Sequence, residues 1–351
     1  MFGNITDWCE KAVADRVFPG CSVGILVNGT RWCRGFGRYT YDPASPAVTP
    51  DTVYDVASVT KAIPVALLAL LCIDRGFCNP GDTMITFLPE YTGAFRDDIT
   101  IRHLLTHTLD FGFRLSALRD KGSDAIIAQI LGAPLASPPG TVYAYANATS
   151  ILLGMVVERI MKLPLGVAAE KELFRPLQMN RTTFYPETLQ RDMVVPTEID
   201  RWRGRCIQGE VHDESAFALR PRVVGSAGLF STAADIMLCT GMLLDGGYAG
   251  ERFFFGRETV ALMHTNACPV RGVCTGFGWE LNQPVFMGSR CGASTFGKTG
   301  FTGCSVVIDP VRKVSIVLLA NHVFPHRRGD RSLINTIRAG LADRVYDTVD
   351  T

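Results

Sequence analysis

The chain has 351 residues, a length that suits one large domain or two. Lys and Arg number 35 and Asp and Glu 34, so the formal net charge is +1. A chain so close to neutrality has no basic stripe for a phosphate backbone, which argues against general nucleic-acid binding. Apolar residues make up 47% and charged residues 20%, a composition that predicts a packed core rather than disorder.

Helices are predicted at both ends of the chain and through its middle. The first covers residues 6–17, after a cap at Thr6 or Asp7, and the last covers residues 331–346. The central helices are predicted at 61–75, 101–105, 124–131, 148–161 and 165–177.

Two β-hairpins are predicted, one near each end. The first joins residues 21–27 to 30–37 through Asn28-Gly29, and the second joins 303–308 to 313–320 through Asp309-Pro310-Val311-Arg312. Asn-Gly between apolar runs is a strong hairpin signal, and a proline in the second loop favours a type I turn.

These elements predict an α+β fold. An antiparallel sheet, built from the two ends of the chain and flanked by the terminal helices, carries an inserted, mostly helical domain. The predicted sheet domain comprises residues 1–55 and 211–351, and the helical domain comprises 56–210. An active-site cleft is expected between them.

The sequence predicts a cytoplasmic protein without a membrane span. The N-terminus shows no secretory signal, and the longest apolar run, Ala62–Ile73, has twelve residues where a span needs about 20. The 11 cysteines are an odd number and include no C-x-x-C pair, so buried, reduced thiols are expected. Disulfides between Cys72 and Cys78 or Cys268 and Cys274 are less favoured alternatives.

Three short motifs carry candidate chemistry. Ser58-Val59-Thr60-Lys61 opens a long apolar helix, where Lys61 lies on the same face as the Ser58 hydroxyl and free backbone N–H groups favour developing negative charge. Tyr145 and Asn147 lie in a turn-rich segment before another helix, and can relay a proton and bind an amide. Lys298-Thr299-Gly300 precedes a strand. Its lysine and threonine offer a cation and a hydroxyl to a substrate carboxylate, and its glycine lets a substrate backbone approach closely. Taken singly, each motif also fits a purely structural role.

In order and context, the S-x-x-K, Y-x-N and K-T-G motifs resemble those of the serine beta-lactamase and penicillin-binding-protein superfamily, nearest its class C beta-lactamase-like branch with the family VIII esterases. The resemblance covers roughly residues 5 to 345. Supporting matches are Phe18-Pro19-Gly20, the segment 101–108, the segment 227–232, and Gly276-Phe277-Gly278-Trp279.

The resemblance implies a covalent acyl-enzyme on Ser58, with Lys61 and Tyr145 sharing the acid–base work. It further implies an oxyanion hole from the backbone N–H groups of Ser58 and Phe301. Lys298 and Thr299, followed by Gly300, would hold a substrate carboxylate or assist proton transfer. Asn147 would hold a substrate amide or orient Lys61. The chemistry requires no metal and no cofactor, and the partner is a small acyl substrate.

The sequence also departs from the family pattern. Leu109-Asp110 replaces a usual Ser-Gly, Ala146 a common serine, and Ser226 a histidine, whereas Lys298 stands where many esterase-like relatives have His or Trp. Lys298 therefore favours a carboxylate-bearing substrate, such as a beta-lactam or a D-amino-acid peptide.

Several functions remain open at this level. The resemblance implies hydrolysis of an ester, amide or beta-lactam bond, and the predicted cytoplasmic location favours an esterase or amidase. An acyltransferase and a D-alanyl peptide carboxypeptidase or penicillin-binding protein are the alternatives. A non-enzymatic sensor is disfavoured by the intact motifs. A Ser-His triad with His103 or His107 lacks a G-x-S-x-G elbow, so these histidines are predicted to be structural.

Overall fold

The computed structural model describes residues 2–350 of the chain. The α-helices are α1 (Gly3–Ala14), α2 (Leu67–Asp74), α3 (Ile101–Thr106), α4 (Ser123–Leu131), α5 (Asn147–Met161), α6 (Leu165–Ala169), α7 (Glu214–Ala218), α8 (Ala233–Leu244), α9 (Arg257–His264), α10 (Pro284–Met287) and α11 (Ser332–Val349). The strands are β1 (Gly20–Val27), β2 (Thr30–Gly37), β3 (Tyr54–Asp55), β4 (Ile199–Asp200), β5 (Arg205–Cys206), β6 (Phe230–Ser231), β7 (Tyr248–Ala249), β8 (Arg252–Phe253), β9 (Glu280–Leu281), β10 (Phe296–Thr299), β11 (Ser305–Asp309) and β12 (Val314–Ala320).

Six of these strands form one antiparallel sheet in the order β2-β1-β12-β11-β10-β9. Strand β1 pairs with β12 from Cys21 opposite Ala320 to Val27 opposite Val314. The two ends of the chain therefore meet in one sheet, which confirms the predicted α+β class.

The sheet is covered on both faces because the side chains of its central strand alternate between two cores. Ile316 and Leu318 of β12 pack in the cluster that contains α1 and α11 residues. Val317 and Leu319 pack on the other face, in the cluster that includes α8 residues such as Ile236. This period of two is what an extended strand imposes, and it agrees with the predicted packing of the terminal helices on the sheet.

Both predicted hairpins are confirmed. Asn28 and Gly29 have φ values of 48° and 82°, the left-handed pair that a tight two-residue turn requires. In the second hairpin, Asp309 Oδ1 accepts hydrogen bonds from the backbone N–H groups of Val311 (3.0 Å) and Arg312 (2.9 Å).

The N-terminal helix begins earlier than predicted. Helix α1 starts at Gly3, and the backbone N–H of Thr6 donates to Phe2 O within its first turn (3.1 Å). Thr6 is therefore inside the helix and does not cap it. Ile5 is fully buried in the core cluster formed by α1, α11 and the sheet, which explains why the helix extends to include it.

Within residues 2–350, the segment 56–210 adds no strand to the six-stranded sheet. Helices α3, α4 and α5 match their predicted positions within a residue or so. Two of the predicted helices are interrupted. In the helix predicted at 165–177, a wide turn over Glu170–Phe174 follows α6. In the helix predicted at 61–75, Ile63 is non-helical (φ −112°, ψ 111°), so that α2 begins at Leu67. The boundaries at residues 55 and 211 remain a prediction.

One segment, Ala57–Asp74, has the length and apolar composition of a membrane span, but 83% of it is buried inside the fold. That burial is typical of a core helix. All 11 cysteines are free thiols, including the pairs Cys72 and Cys78, and Cys268 and Cys274.

Candidate active site

Ser58 lies on a sharp turn between strand β3 and the apolar core segment. Ala57 adopts a left-handed backbone conformation (φ 48°), which costs an L-residue about 1 kcal/mol. Asp55 Oδ1 accepts the Ala57 N–H (2.8 Å) and so stabilises this turn. Ser58 itself lies in a 3-10 turn, Ala57–Lys61. The helix predicted at 61–75, at whose N-terminus Ser58 is expected to lie, becomes a regular α-helix only from Leu67, so any helix-dipole contribution to the site is small.

The Lys61 ammonium lies in a nearly closed cage of oxygen atoms. Its Nζ contacts Ser58 Oγ (3.1 Å), Asn147 Oδ1 (2.9 Å) and the Ser226 carbonyl (2.6 Å). The residue is 2% exposed. Asn147 Oδ1 and the Ser226 carbonyl can only accept, so each takes one lysine N–H, while the Ser58 hydroxyl can either accept the third or donate to the lysine nitrogen.

Asn147 is held by groups that the sequence reasoning missed. Its Nδ2 donates to Asp213 Oδ2 (3.2 Å) and to Ser215 Oγ (3.0 Å), while its oxygen accepts from Lys61. Asp213 also caps helix α7 through the Ala216 N–H (2.9 Å). Because the amide is engaged on both sides, the structure supports the predicted role in orienting Lys61 better than contact with a substrate amide.

Tyr145 projects into the cleft between two ammonium groups. The Nζ atoms of Lys61 and Lys298 lie 5.1 and 4.6 Å from its ring centroid, and the His107 ring lies 4.8 Å away. Burial alone would raise the pKa of Tyr145, but the two ammonium charges and a hydrogen bond with Ser58 lower the pKa overall. The side chain therefore yields its proton more readily than a free tyrosine, although 45% of the residue is exposed.

Lys298 is buried beside a carboxylate that the sequence analysis did not select. Its Nζ lies 2.9 Å from Glu280 Oε1, and the residue is 1% exposed. Burial alone would lower the pKa of Lys298, but the Glu280 charge more than offsets burial and raises that pKa. Lys298 is thus a permanently charged group with a partner already in place.

The loop after β10 lies against the turn that carries Ser58. A Cβ atom at Gly300 would come within 2.4 Å of Val56 O, so only glycine permits this approach. Arg338 Nη2 donates to the carbonyls of Gly300 (2.7 Å) and Cys304 (2.8 Å), which fixes the loop from behind. Within residues 2–350, the backbone N–H groups of Ser58 and Phe301 have no protein acceptor, as the two donors of an oxyanion hole require.

We expect Gly300→Ala to destabilise the fold by about 1–3 kcal/mol, because the new methyl group collides with backbone. Ester turnover should fall with it as the Phe301 N–H moves. The matched control is Gly329→Ala, where an added Cβ meets no atom within 4 Å. Thermal melts and kcat/KM of both variants test this, and equal behaviour of the two would contradict the close approach.

Two further residues contact the site: Ser226, which departs from the family pattern, and His107, which lies in the matching segment 101–108. The Ser226 carbonyl accepts a hydrogen bond from Lys61, while the buried Ser226 hydroxyl has no partner within residues 2–350. His107 ends helix α3 in a left-handed conformation (φ 54°) and packs on Tyr145. Burial and the two neighbouring ammonium groups lower the pKa of His107, so this ring is neutral at pH 7 and supports the tyrosine by packing.

These groups open into a cleft of about 670 Å³. Of the predicted residues, it exposes Ser58, Tyr145, Asn147, Thr299 and Phe301. Lys61 and Lys298 lie beneath its surface. Among the described residues, no cluster of three or more His, Cys, Asp or Glu side chains is arranged to hold a metal ion.

Comparison with known proteins gives the family. The beta-lactamase family model matches residues 5–339. A protein of Escherichia coli K12 named "Putative D-alanyl-D-alanine carboxypeptidase" is 30% identical over 310 residues, which are 79% of this chain and 70% of that protein. The chain therefore belongs to the beta-lactamase family, as the motifs indicated, and it is a serine hydrolase of that family.

Two solved structures share the fold at lower identity. EstCE1, described as a hydrolase with promiscuous acyltransferase activity, is 22% identical with a TM-score of 0.76, covering 97% of each chain. Simvastatin synthase (LovD) from Aspergillus terreus is 21% identical with a TM-score of 0.76, covering 98% of each chain. Their similarity confirms the beta-lactamase-like architecture.

Proposed function

We propose that this protein hydrolyses carboxylic esters or amides through a covalent acyl-enzyme on Ser58. The observation that carries the proposal is the 3.1 Å contact between Lys61 Nζ and Ser58 Oγ, in a cage that holds the lysine in place. A serine hydroxyl needs such a neighbourhood to become a nucleophile.

The proton of Ser58 passes to Tyr145 in this proposal. Lys61 serves in it as a hydrogen-bond donor to Ser58 Oγ, Asn147 Oδ1 and the Ser226 carbonyl. Together with Lys298 it stabilises the Tyr145 phenolate, the form that accepts a proton. Lys61 as the acceptor is the alternative, and the pH profile of a tyrosine variant distinguishes them.

Acylation and deacylation follow from these positions. Ser58 Oγ bonds to the acyl carbon, the carbon–oxygen or carbon–nitrogen bond to the leaving group breaks, and Tyr145 returns the proton to the departing alcohol or amine. Water then repeats the steps and releases the free acid and Ser58. The backbone N–H groups of Ser58 and Phe301 stabilise the oxyanion in both halves, while Thr299 borders the cleft where the leaving group departs.

Steady turnover of a p-nitrophenyl ester, with stoichiometric free acid as product, is the test of the hydrolase proposal. A chromogenic cephalosporin assayed in parallel defines the substrate class. Rapid cephalosporin turnover with negligible ester turnover would contradict an esterase.

We expect Tyr145→Phe to lower kcat/KM for esters by about 10²-fold or more, the usual contribution of a positioned proton acceptor. In the wild type, kcat/KM should rise with pH with a midpoint below that of a free tyrosine, because the pKa of Tyr145 is lowered. This rise should disappear in the variant. The control is Tyr143→Phe, since Tyr143 also lines the cleft but burial raises its pKa to about 12. A rise that survives in Tyr145→Phe would assign the proton to Lys61.

Acyl transfer is a second candidate, favoured by the description of EstCE1 as a hydrolase with promiscuous acyltransferase activity. The same acyl-enzyme would then pass its acyl group to an alcohol or amine. D-alanyl peptide cleavage is a third, favoured by the name of the Escherichia coli relative. Product analysis with added nucleophiles, and with a D-alanyl-D-alanine peptide, separates these from simple hydrolysis.

A cytoplasmic location is part of the proposal. It is supported by the 11 free thiols, some of them exposed, which an oxidising compartment would tend to pair. Cell fractionation of the native host tests it, and recovery in an extracytoplasmic fraction would contradict it.

A further inference from the structure

Asp55 is a buried acid that takes no part in the proposed proton transfers. It ends strand β3, directly before the turn that carries Ser58. It is not among the residues that line the cleft, so it acts on a substrate only through its neighbours. Because a buried carboxylate is costly unless its oxygens are hydrogen-bonded, the groups that bind Asp55 indicate its role.

The two carboxylate oxygens of Asp55 bind two separate segments of the chain. Oδ1 accepts the Ala57 N–H (2.8 Å), which fixes the residue directly before Ser58. Oδ2 accepts the His212 N–H (2.8 Å), which lies 157 residues away in the sequence. The carboxylate therefore sets the distance between the turn that carries the nucleophile and the segment that begins at His212.

The segment that begins at His212 positions the lysine of the site. Asp213, the next residue, accepts a hydrogen bond from Asn147 Nδ2 (3.2 Å), and Asn147 Oδ1 accepts from Lys61 Nζ (2.9 Å). A displacement of the backbone at His212 is therefore passed on to Lys61. Through this chain of contacts, Asp55 also fixes where Lys61 lies relative to Ser58.

The main-chain carbonyl of Asp55 binds a third part of the site, the loop after β10. It accepts a hydrogen bond from the buried Thr302 Oγ1 (2.9 Å), one residue beyond Phe301. The Phe301 ring in turn packs edge-on against the His212 ring, with 4.7 Å between the ring centroids. The loop that carries the Phe301 N–H is thus attached to the same residue as the other two segments.

We infer that Asp55 is a positioning residue, which holds Ser58, Lys61 and the oxyanion donor Phe301 in register for acyl transfer. The inference rests on the proposed function. Acylation and deacylation both use all three groups, so loss of the register should slow both steps. The cleft itself keeps its lining residues, and substrate binding should change little.

Asp55→Asn tests this with little change of shape. An amide offers one oxygen acceptor, so one of the two backbone N–H groups loses its partner and faces a second N–H donor. We expect kcat/KM for p-nitrophenyl phenylacetate to fall by about 10²-fold, the cost of a small displacement among reacting groups. Active sites are counted by exhaustive fluorophosphonate labelling, so that misfolded protein does not contribute. The Ki of phenylacetate, as a competitive inhibitor, should stay near its wild-type value.

The matched control is Asp235→Asn. Asp235 is also buried, and its Oδ2 accepts hydrogen bonds from the Arg181 N–H and the Thr182 hydroxyl, each at 2.8 Å. This variant should keep kcat/KM per active site within a few-fold of wild type, even where its melting temperature falls. Equal kcat/KM per active site in Asp55→Asn and Asp235→Asn would overturn the inference. So would a rise in Ki that matches the loss of kcat/KM in Asp55→Asn, because that result indicates a deformed cleft.

Thr302→Val provides the test if Asp55→Asn does not fold. Valine has nearly the shape of threonine but cannot donate to the Asp55 carbonyl, so the loop after β10 loses its attachment. We expect kcat/KM to fall several-fold at unchanged Ki. Wild-type kcat/KM in Thr302→Val would then overturn the inference.

Failure of the proposed function gives a different result. If Ser58→Ala retains ester turnover, the acyl-enzyme assignment fails, whatever the behaviour of Asp55→Asn. If Ser58→Ala is inactive while Asp55→Asn turns over as fast as wild type, only the role of Asp55 fails.

Discussion

Ser58→Ala should lower ester turnover by about 10⁴-fold or more, leaving only what the oxyanion donors and substrate binding supply. The reason is that Ser58 Oγ is the atom that bonds to the acyl carbon, so the variant cannot form the acyl-enzyme. Ser58 Oγ lies 3.1 Å from Lys61 Nζ. It follows directly on Ala57, whose backbone has the left-handed conformation. Steady-state kcat for a p-nitrophenyl ester measures the effect.

The matched control is Ser116→Ala. Ser116 is an exposed serine that lines the same cleft but lies in the 3-10 turn Leu115–Leu118, away from the three motifs. Its loss should leave kcat within a few-fold of wild type. Comparable losses in the two variants would show that the cleft, and not the nucleophile, had been damaged.

Lys61→Met should lower kcat/KM by about 10³-fold, because it removes the charge that stabilises both the Ser58 oxygen and the Tyr145 phenolate. Methionine has a similar length and no donor, so Asn147 Oδ1 and the Ser226 carbonyl lose a partner. The remaining activity should shift to higher pH, since the Lys61 charge lowers the pKa of Tyr145.

A pH–rate profile of Lys61→Met beside Lys171→Met measures this effect. Lys171 is an exposed lysine (67% of its side chain), so its variant should behave as wild type. Circular dichroism establishes that both variants fold. Turnover of Lys61→Met within tenfold of wild type would contradict the role given to the cage.

Local sequence signals were sufficient for much of the fold. The Asn28-Gly29 turn and the alternating apolar strands predict the hairpins, because each signal acts over a few residues. The pairing of β1 with β12 follows from the need to bury two apolar strands from opposite ends of the chain. The interrupted helix at Ile63 also had a local signal, since a residue before proline is driven to extended backbone. The prediction of one continuous helix followed instead the apolar run Ala62–Ile73, which spans this proline.

The site was predictable where the residue spacing sets the geometry. Ser58 and Lys61 are three residues apart and meet within one turn, and Tyr145 joins them through a motif that the family resemblance supplied. Asp213 and Glu280 could not be found this way. Each reaches its partner across a tertiary contact, to Asn147 from 66 residues away and to Lys298 from 18. Neither residue belongs to one of the three motifs or to a predicted helix or strand.

The difference between sequence and structure is clearest at Lys298. The sequence suggests that Lys298 is an unpaired cation, whereas in the fold Lys298 forms an ion pair with Glu280.

The central claim is that catalysis passes through an acyl group bound to Ser58. The most direct measurement is intact-mass spectrometry of enzyme quenched with acid during turnover of a slow ester, followed by peptide mapping. The account predicts a mass increase equal to one acyl group, located on the peptide that contains Ser58 and absent from Ser58→Ala. Undiminished turnover with the acyl group on another residue, or the same adduct in Ser58→Ala, would contradict it.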